Sequence, residues 1–453
     1  MSKNKSYIPK GMRDFTPEVM FRRNYIFETI KTSFERYGYA PISTPAMENI
    51  TTLAGKYGDE GDRLIFKVLN SGDYLSKVDF DIDTDSKSLS NQISNKALRY
   101  DLTVPFARFV VQNKNDLIFP FKRYQMQNVW RADKPQRGRY REFYQCDADF
   151  IGTDSLFCEI ELIQLYDEVF TQLCIPNVDI CINNRKILSG MVEVMGEDDL
   201  FDDIVIILDK LNTIGLDRVK EELICKGISA RALSILSDFI NVNKICDLQP
   251  LLEQSETGKK GLSELQFIID NINTLGLKSA NLTFDITLAR GLNYYTGCIL
   301  EVKATDIKIG SIGGGGRYDN LTSNFGLQGT SGVGISFGID RIYLVMEDLN
   351  IFPDEIGKNT KVMFANFGDD EAVFCLPLLS KLRDSGISSE LYPKSVKLKK
   401  QMSYANSKGI DYVIIVGENE MQSGILSVKN MKSGEQNKLS IKDLIKNILH
   451  EHL

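Results

Sequence analysis

Four arginines, Arg131, Arg137, Arg139 and Arg141, fall within "VWRADKPQRGRYREFYQCD", residues 129–147. A guanidinium is a planar fork of donors that matches the oxygens of phosphate or carboxylate. So many in one span point to a polyanionic ligand, or else to a solvated hairpin displaying surface charge. A second stretch, "LARGLNYYTG" (288–297), sets Arg290 ahead of the adjacent Tyr294 and Tyr295. Tyrosine hydroxyls can donate to or accept from a ring nitrogen. The alternative is a strand end with an aromatic core pair. A third, "GSIGGGGRYDNL" (310–321), would let backbone approach a ligand closely. It lacks the GK[ST] ending of a P-loop and carries Tyr318 where the last glycine of G-x-G-x-x-G would stand, so it reads as a tight glycine-rich turn. "KSVKLKK" (394–400) is basic and could meet a phosphate backbone or form a solvated helix face.

Other chemistries are disfavoured. The chain has only two histidines, His450 and His452, at its C-terminal end. A histidine base, a Ser-His-Asp triad or a His-bound metal is therefore not expected. The eight cysteines show no C-x-x-C spacing, against a zinc knuckle or redox motif. Reduced thiols in a cytoplasmic protein are the simplest expectation. The formal charge of -7 argues against a protein that coats nucleic acid, but allows a local basic site. No apolar run is long enough to span a bilayer, and "MSKNKSYIPKG" has no hydrophobic stretch of a signal peptide.

These residues need elements to hold them. The 453 residues suggest two or three domains. Phe21, Tyr25, Ile30, Phe34 and Tyr37 recur at roughly helical spacing, predicting an amphipathic helix over 17–37. "YGYAPISTP" reads as a loop and short strand, "RLIFKV" as a strand, and residues 70–96 as a polar loop or weak hairpin. Thr103 is placed to cap a helix with Pro105 in its first turn. "RYQMQNVWRA" and "REFYQCDADFI" flank the turn-forming "DKPQRG", predicting an antiparallel hairpin with arginines on its strands and tip. A helix over 155–173 and the strand "VDICIN" follow. Residues 184–275 are rich in helical patterns and read as an insertion. Strands return at "LTFDITL", "GCILEV" and "KIGSI". "GVGISFGIDRIYLVMEDL" reads as a strand running into a helix. After a linker with Pro353 and Gly357, residues 361–453 alternate strand and helix, as a separate small α/β domain.

Taken together and in order, "LRYDLTVPFARFV", "VWRADKPQRGRYREFYQCDAD", "LARGLNYYTGCILEV", "GGGGRYDNL" and "GVGISFGIDRI" resemble the histidyl-tRNA synthetases, a family of class II aminoacyl-tRNA synthetases. The second segment resembles class II motif 2 and the last motif 3. The third and fourth resemble the two histidine-specific signatures, and "ISTP" lies where motif 1 would be. The resemblance runs from about Pro9 to Ile342, and the last domain resembles the family's anticodon-binding domain. It implies an α+β fold: an antiparallel sheet with flanking helices, interrupted by a helical insertion, in a homodimer. The implied domains are 1–175 and 281–350 (catalytic), 176–280 (helical insertion) and 360–453 (anticodon-binding).

The resemblance also implies an answer for the arginines, namely ATP. Arg131 matches the motif 2 arginine on the α-phosphate and Arg139 the one reaching the γ-phosphate. Phe143 matches the ring that stacks on adenine, and Arg341 the motif 3 arginine on the nucleotide's other side. Arg137 would face the tRNA acceptor end. Asp101 and Thr103, helped by Gln145, match the groups that bind the α-ammonium of histidine. Asp149 and Tyr295, with Tyr294 beside them, match the pair that holds the imidazole nitrogens. Arg290 matches the family's catalytic arginine, opposite Arg131, where other class II enzymes place a metal; both arginines also border the histidine site. Mg²⁺ would enter with ATP rather than at a protein-only site. Histidine-specific tRNA is the implied partner. Asn293 stands where the signature more often has Asp, and Asp133 where motif 2 often has Glu. The other reading to weigh is a catalytically inactive, histidine-sensing regulatory paralogue. Such proteins tend to lose the anticodon domain and the phosphate arginines, which this chain keeps. A kinase-linked sensor domain is disfavoured because no kinase signature stretch is present.

Overall fold

The computed structural model describes residues 7–76, 78–79, 85–290, 294–354, 356–357 and 360–450. The chain forms two compact units, Met1–Phe352 and Pro353–Leu453. No helix among the described residues is long and apolar enough to cross a membrane.

The first unit is built on an eight-stranded sheet. Its spatial order is Ala40–Pro41, Phe121–Trp130, Glu142–Ile151, Gly332–Gly338, Gly313–Tyr318, Cys298–Ala304, Val178–Asn184 and Ala280–Phe284. The first and last pairs are parallel and the pairs between them antiparallel. Helices pack on one face, among them Pro17–Arg36 and Phe157–Gln172. Pro17–Arg36 starts with proline, where no intrahelical N–H is lost, and carries Glu18 in its first turn and Arg36 in its last, as the helix dipole favours. It buries Ile26, Ile30 and Phe34 at four-residue spacing. Phe157–Gln172 lies beside it and buries Leu162, Ile163, Tyr166 and Phe170. Phe337 of the sheet meets Phe34, Tyr166 and Phe170 with ring centroids 4.8–5.8 Å apart. Because side chains alternate along a strand, Phe337 toward the helices leaves Ser336 and Gly338 to the opposite face. That opposite face carries the candidate site.

Several expectations need correction. The segment 176–280 is not wholly helical: it opens with Val178–Asn184, which pairs on both edges within the sheet. The helices Arg185–Met195, Phe201–Leu208, Leu216–Cys225, Ala230–Ile240 and Glu256–Leu275 follow. Their buried Leu188, Ile204, Leu236 and Leu265 join the same hydrophobic cluster as the sheet. Within 70–96, Ser86–Ile93 is a helix, started by the Asp85 carboxylate, which accepts from the Ser88 N–H at 2.6 Å. Of "RLIFKV" only Lys67–Val68 is extended, and "KIGSI" is irregular. The arginines do not sit on the hairpin strands, which are Phe121–Trp130 and Glu142–Ile151. They occupy the connection between them.

The second unit has a five-stranded sheet ordered Ser389–Leu391, Val362–Phe364, Tyr412–Ile415, Leu426–Asn430 and Gln436–Leu439. Helices Asp369–Asp384 and Ile441–His450 close its core through Cys375, Leu379, Leu382, Leu444 and Ile448, which pack with Phe364, Ile414 and Val428. Helix Leu398–Ser407 covers the other face through Ala405, beside Met363 and Val413. Lys394, Lys397, Lys399 and Lys400 are exposed.

Candidate active site

The strand Glu142–Ile151 presents Phe143, Gln145, Asp147 and Asp149 toward the cleft, every second residue. In register on the neighbouring strand, Gly338 faces Gln145, Ser336 faces Asp147 and Gly334 faces Asp149. Next comes the glycine run, which is not a turn. Gly313–Tyr318 is a fully buried strand paired on both edges. A Cβ on Gly314 would lie 1.9 Å from Arg290 Nη1, and one on Gly316 would lie 2.8 Å from the Tyr295 ring. The missing side chains make the space that these two residues fill.

Two adjoining cavities result. The inner one, about 470 Å³, is lined by Asp101, Thr103, Asp147, Asp149, Tyr294, Tyr295 and Tyr318. The outer one, about 800 Å³, is lined by Asp133, Arg139, Phe143, Ser311 and Arg341. Arg131, Gln145, Arg290, Gly314 and Ser336 border both. All the residues expected to touch amino acid or nucleotide thus line one continuous cleft. Arg137 does not: its guanidinium is exposed and bonded to both Asp348 carboxylate oxygens at 2.5 and 2.7 Å. Arg141 Nε donates to the Asp133 carbonyl at 3.1 Å. Asn293 lies outside the described residues.

Backbone carbonyls anchor Arg131, Arg290 and Arg341, while Arg139 Nε lies 3.7 Å from Asp133 Oδ2 and Arg290 Nη1 3.9 Å from Glu301 Oε2. Arg131 Nε donates to the Tyr100 carbonyl at 3.1 Å, and its guanidinium lies 4.2 Å from the Tyr100 ring centre and 5.2 Å from that of Phe143. Arg341 donates to the carbonyls of Gly138 and Ser311 at 2.9 and 2.7 Å. Burial, and then the positive charges of Arg139 and Arg131, push its pKa down. Like charges brought together disfavour the charged form. Arg290 has φ +51°, the left-handed region that costs a non-glycine residue. Its backbone N–H donates to Asp209 Oδ1 at 3.0 Å and its Nη1 to the Leu300 carbonyl at 3.2 Å.

The inner cavity is carboxylate-rich. Asp101 accepts from Tyr57 Oη at 2.9 Å and from the Val104 N–H at 3.1 Å, with Tyr294 Oη at 3.5 Å. Thr103 does not cap the helix Thr103–Gln112 but is its first residue; the cap position is Leu102, and the Asp101 carboxylate before it takes the first-turn Val104 N–H. A carboxylate is the stronger acceptor for the exposed first-turn N–H groups. Asp149 accepts from Tyr318 Oη at 2.5 Å and pairs with the fully buried Arg123 at 2.8 Å. Burial raises the pKa of Asp149, and Arg123 and Tyr318 oppose the shift. Burial lifts Asp147 to about 7, against the pull of Arg123. Among the described residues no group of three or more His, Cys, Asp or Glu could hold a metal ion.

Sequence reasoning missed Asp147, Arg123, Tyr318, Tyr57 and Ser336. For Asp147 a signal existed: it stands midway between Gln145 and Asp149 at strand period. The polar alternation Arg123, Gln125, Gln127 was a second one, and its first two members are buried.

A family described as "Histidyl-tRNA synthetase" matches residues 11–342. The chain belongs to the histidyl-tRNA synthetase family. A second family, described as "Anticodon binding domain", matches residues 361–451 of this synthetase. The histidine–tRNA ligase of Christiangramia forsetii is 56% identical over 97% of this chain and 98% of its own length. That of Bacteroides fragilis strain YCH46 is 54% identical over 97% and 98%. The crystal structure of histidyl-tRNA synthetase from Nostoc sp. PCC 7120 superposes with a TM-score of 0.82 at 29% identity, covering 99% of this synthetase and all of that chain. A Bacillus halodurans chain described as an ATP phosphoribosyltransferase regulatory subunit/histidyl-tRNA synthetase shares the fold, with a TM-score of 0.69 at 22% identity over 88% and 96%.

Proposed function

We propose that the two cavities divide the reaction between them, the inner one taking L-histidine and the outer one ATP. The enzyme is a histidine–tRNA ligase: it forms histidyl-adenylate and pyrophosphate, then transfers the histidyl group to the 3′-terminal adenosine of its tRNA. Near-complete coverage of relatives named as ligases at 54–56% identity favours this reading over an inactive regulatory paralogue. One observation carries the division. A small polar cavity with a carboxylate and tyrosines at its inner end opens into a cleft rimmed by Arg131, Arg139, Arg290 and Arg341.

In the first step a carboxylate oxygen of histidine attacks the α-phosphorus, and the bond to the bridging oxygen breaks as pyrophosphate leaves. Charge grows on the non-bridging oxygens, where Arg131 and Arg290 approach from opposite sides; preorganised donors act most strongly there. Arg139 takes the γ-phosphate. Adenine stacks on Phe143, with Arg341 on its other side. Mg²⁺ arrives as part of the ATP substrate. Asp101, Thr103 and Gln145 receive the α-ammonium. Asp149 and Tyr295, with Tyr294 alongside, receive the imidazole nitrogens. A ring lacking those nitrogens would leave buried polar groups unpaired and be rejected.

We assign residues 1–175 and 281–350 to catalysis, together with the strand Val178–Asn184. The helices within 176–280 contact the tRNA acceptor arm, and residues 360–453, with their exposed lysines, meet the anticodon. The working form is a cytoplasmic homodimer. Histidine-dependent exchange of pyrophosphate into ATP is the test. Histidine binding with no exchange would instead identify a regulatory paralogue.

A further inference from the structure

Asp147 has no role in the scheme above, yet it sits in the middle of the inner cavity. It lies on the strand Glu142–Ile151, two residues from Gln145 and two from Asp149, so about 7 Å separates it from each along the strand. Only 2% of it is exposed, and its Oδ1 has no hydrogen-bond partner among the described residues. No neighbouring donor reaches this oxygen within hydrogen-bond distance, although Arg123 Nε is itself without a partner among the described residues. Arg123 pairs with Asp149 at 2.8 Å. The Gln125 amide, opposite Asp147 on the adjacent strand, donates to Thr44 Oγ1 at 2.8 Å and to Gln127 Oε1 at 2.5 Å. Ser336, opposite on the other side, accepts from Gln145 Nε2 at 2.9 Å and has a single hydroxyl proton to offer. A buried carboxylate oxygen without a donor destabilises the fold. Its presence beside a substrate cavity calls for a donor on the substrate.

Histidine offers two: the α-ammonium and a ring N–H. The positions separate them. Asp149 already has a guanidinium beside it, which suits a neutral ring. Asp147 has Asp149 and Asp101 as its charged neighbours besides Arg123, so it calls for a cation. It also lies one strand step closer to Gln145, which borders both cavities. The carboxylate of histidine must turn toward that junction to meet ATP, and its ammonium is attached to the adjoining carbon. We propose that Asp147 is a further substrate-binding residue, whose free carboxylate oxygen accepts from the α-ammonium of histidine and with Asp101 clamps it between two carboxylates. This rests on reading the inner cavity as the amino-acid pocket.

The test uses the full-length enzyme and calorimetric binding of three probes. Histidine and histidinol both carry the ammonium; 3-(imidazol-4-yl)propanoate keeps ring and carboxylate but lacks the amine. Asp147→Asn should weaken histidine and histidinol about tenfold to a hundredfold, as for loss of a hydrogen bond to a charged group, and leave the amine-free probe within about twofold. Asp147→Ser should show the same split. Equal losses for all three probes, or no loss for any, would overturn the proposal. Tyr295→Phe is measured in parallel. If it alters none of the affinities either, the pocket assignment itself has failed. If it weakens all three probes while Asp147→Asn is silent, only the role of Asp147 is wrong.

Discussion

Replacing Gly314 with alanine would put a methyl carbon 1.9 Å from Arg290 Nη1 and 2.6 Å from its Cζ. The backbone at Gly314 can accept a side chain, because its φ lies outside the left-handed region. The alanine therefore stays and the guanidinium moves. To reach ordinary van der Waals contact at 3.4 Å, Nη1 must retreat by about 1.5 Å, which also strains its bond to the Leu300 carbonyl. Misplacement of a catalytic group by about 1 Å can cost about 10²-fold in rate, and losing one fixed donor at the developing charge costs about 10²–10³-fold. Gly314→Ala should therefore lower the single-turnover rate of histidyl-adenylate formation by about 10²-fold. The KM values for ATP and histidine should rise less, since the proposed scheme has Arg131 and Arg139 hold the ground-state phosphates. Transfer to tRNA should be less affected, because it breaks the acyl–phosphate bond without a pentavalent phosphorus. Arg290→Lys should behave alike, since a point charge on a flexible stem does not replace the planar fork. The double variant should be little worse than either single one, as the two changes remove the same interaction. Rapid-quench measurement of the two steps decides. If Gly314→Ala forms adenylate at the parent rate while folded, Arg290 does not act from the position the strand creates for it.

Three further outcomes are expected. Tyr295→Phe and Asp149→Ala should impair use of histidine more than use of ATP, by roughly 1–3 kcal/mol each, read from steady-state constants in pyrophosphate exchange. Removing residues 360–453 should spare exchange and weaken tRNA charging, measured on a truncated chain shown to be folded and dimeric; loss of exchange there would refute a purely tRNA-reading role. Asp147→Asn should raise the melting temperature of the ligand-free enzyme. The folded Asp147 titrates at about 7, above its ordinary 3.8, so the folded state keeps a proton that the unfolded chain has released. The stability tied to that proton is lost as pH rises through this window, and asparagine loses nothing. Arg123 from the adjacent strand, Asp149 on the same strand and Asp101 ahead of the helix set the balance. The gap between variant and parent should widen by on the order of 2 kcal/mol from pH 5 to 7 and level off above. A constant gap across that range would remove the buried-charge account.

Local signals sufficed for much of the fold. The helix Pro17–Arg36 was legible because its apolar residues repeat at helical spacing next to a proline start. The hairpin was legible because two alternating runs flank a turn. The residue types that could handle phosphate and imidazole could be named from the chain alone, and the resemblance assigned them roles. The glycine run was misread for a definite physical reason. Lacking a Cβ serves both a turn, which needs unusual φ, and a crowded strand, which needs space. Nothing within Gly313–Tyr318 distinguishes the two; the distinction comes from Arg290 and Tyr295, which arrive from a separate segment. The helix Ser86–Ile93 escaped because its stretch is polar, and only the Asp85 cap marked it. Arg123, Tyr318 and Asp147 became part of the site through register. Pairing Glu142–Ile151 with Phe121–Trp130 on one edge and Gly332–Gly338 on the other decides which buried carboxylate receives a guanidinium. The sequence by itself therefore determined the elements and the chemistry available to the site. The tertiary structure decided which polar groups are satisfied within the protein and which, like Asp147, are left for a ligand, because burial and pairing depend on residues far apart in the chain.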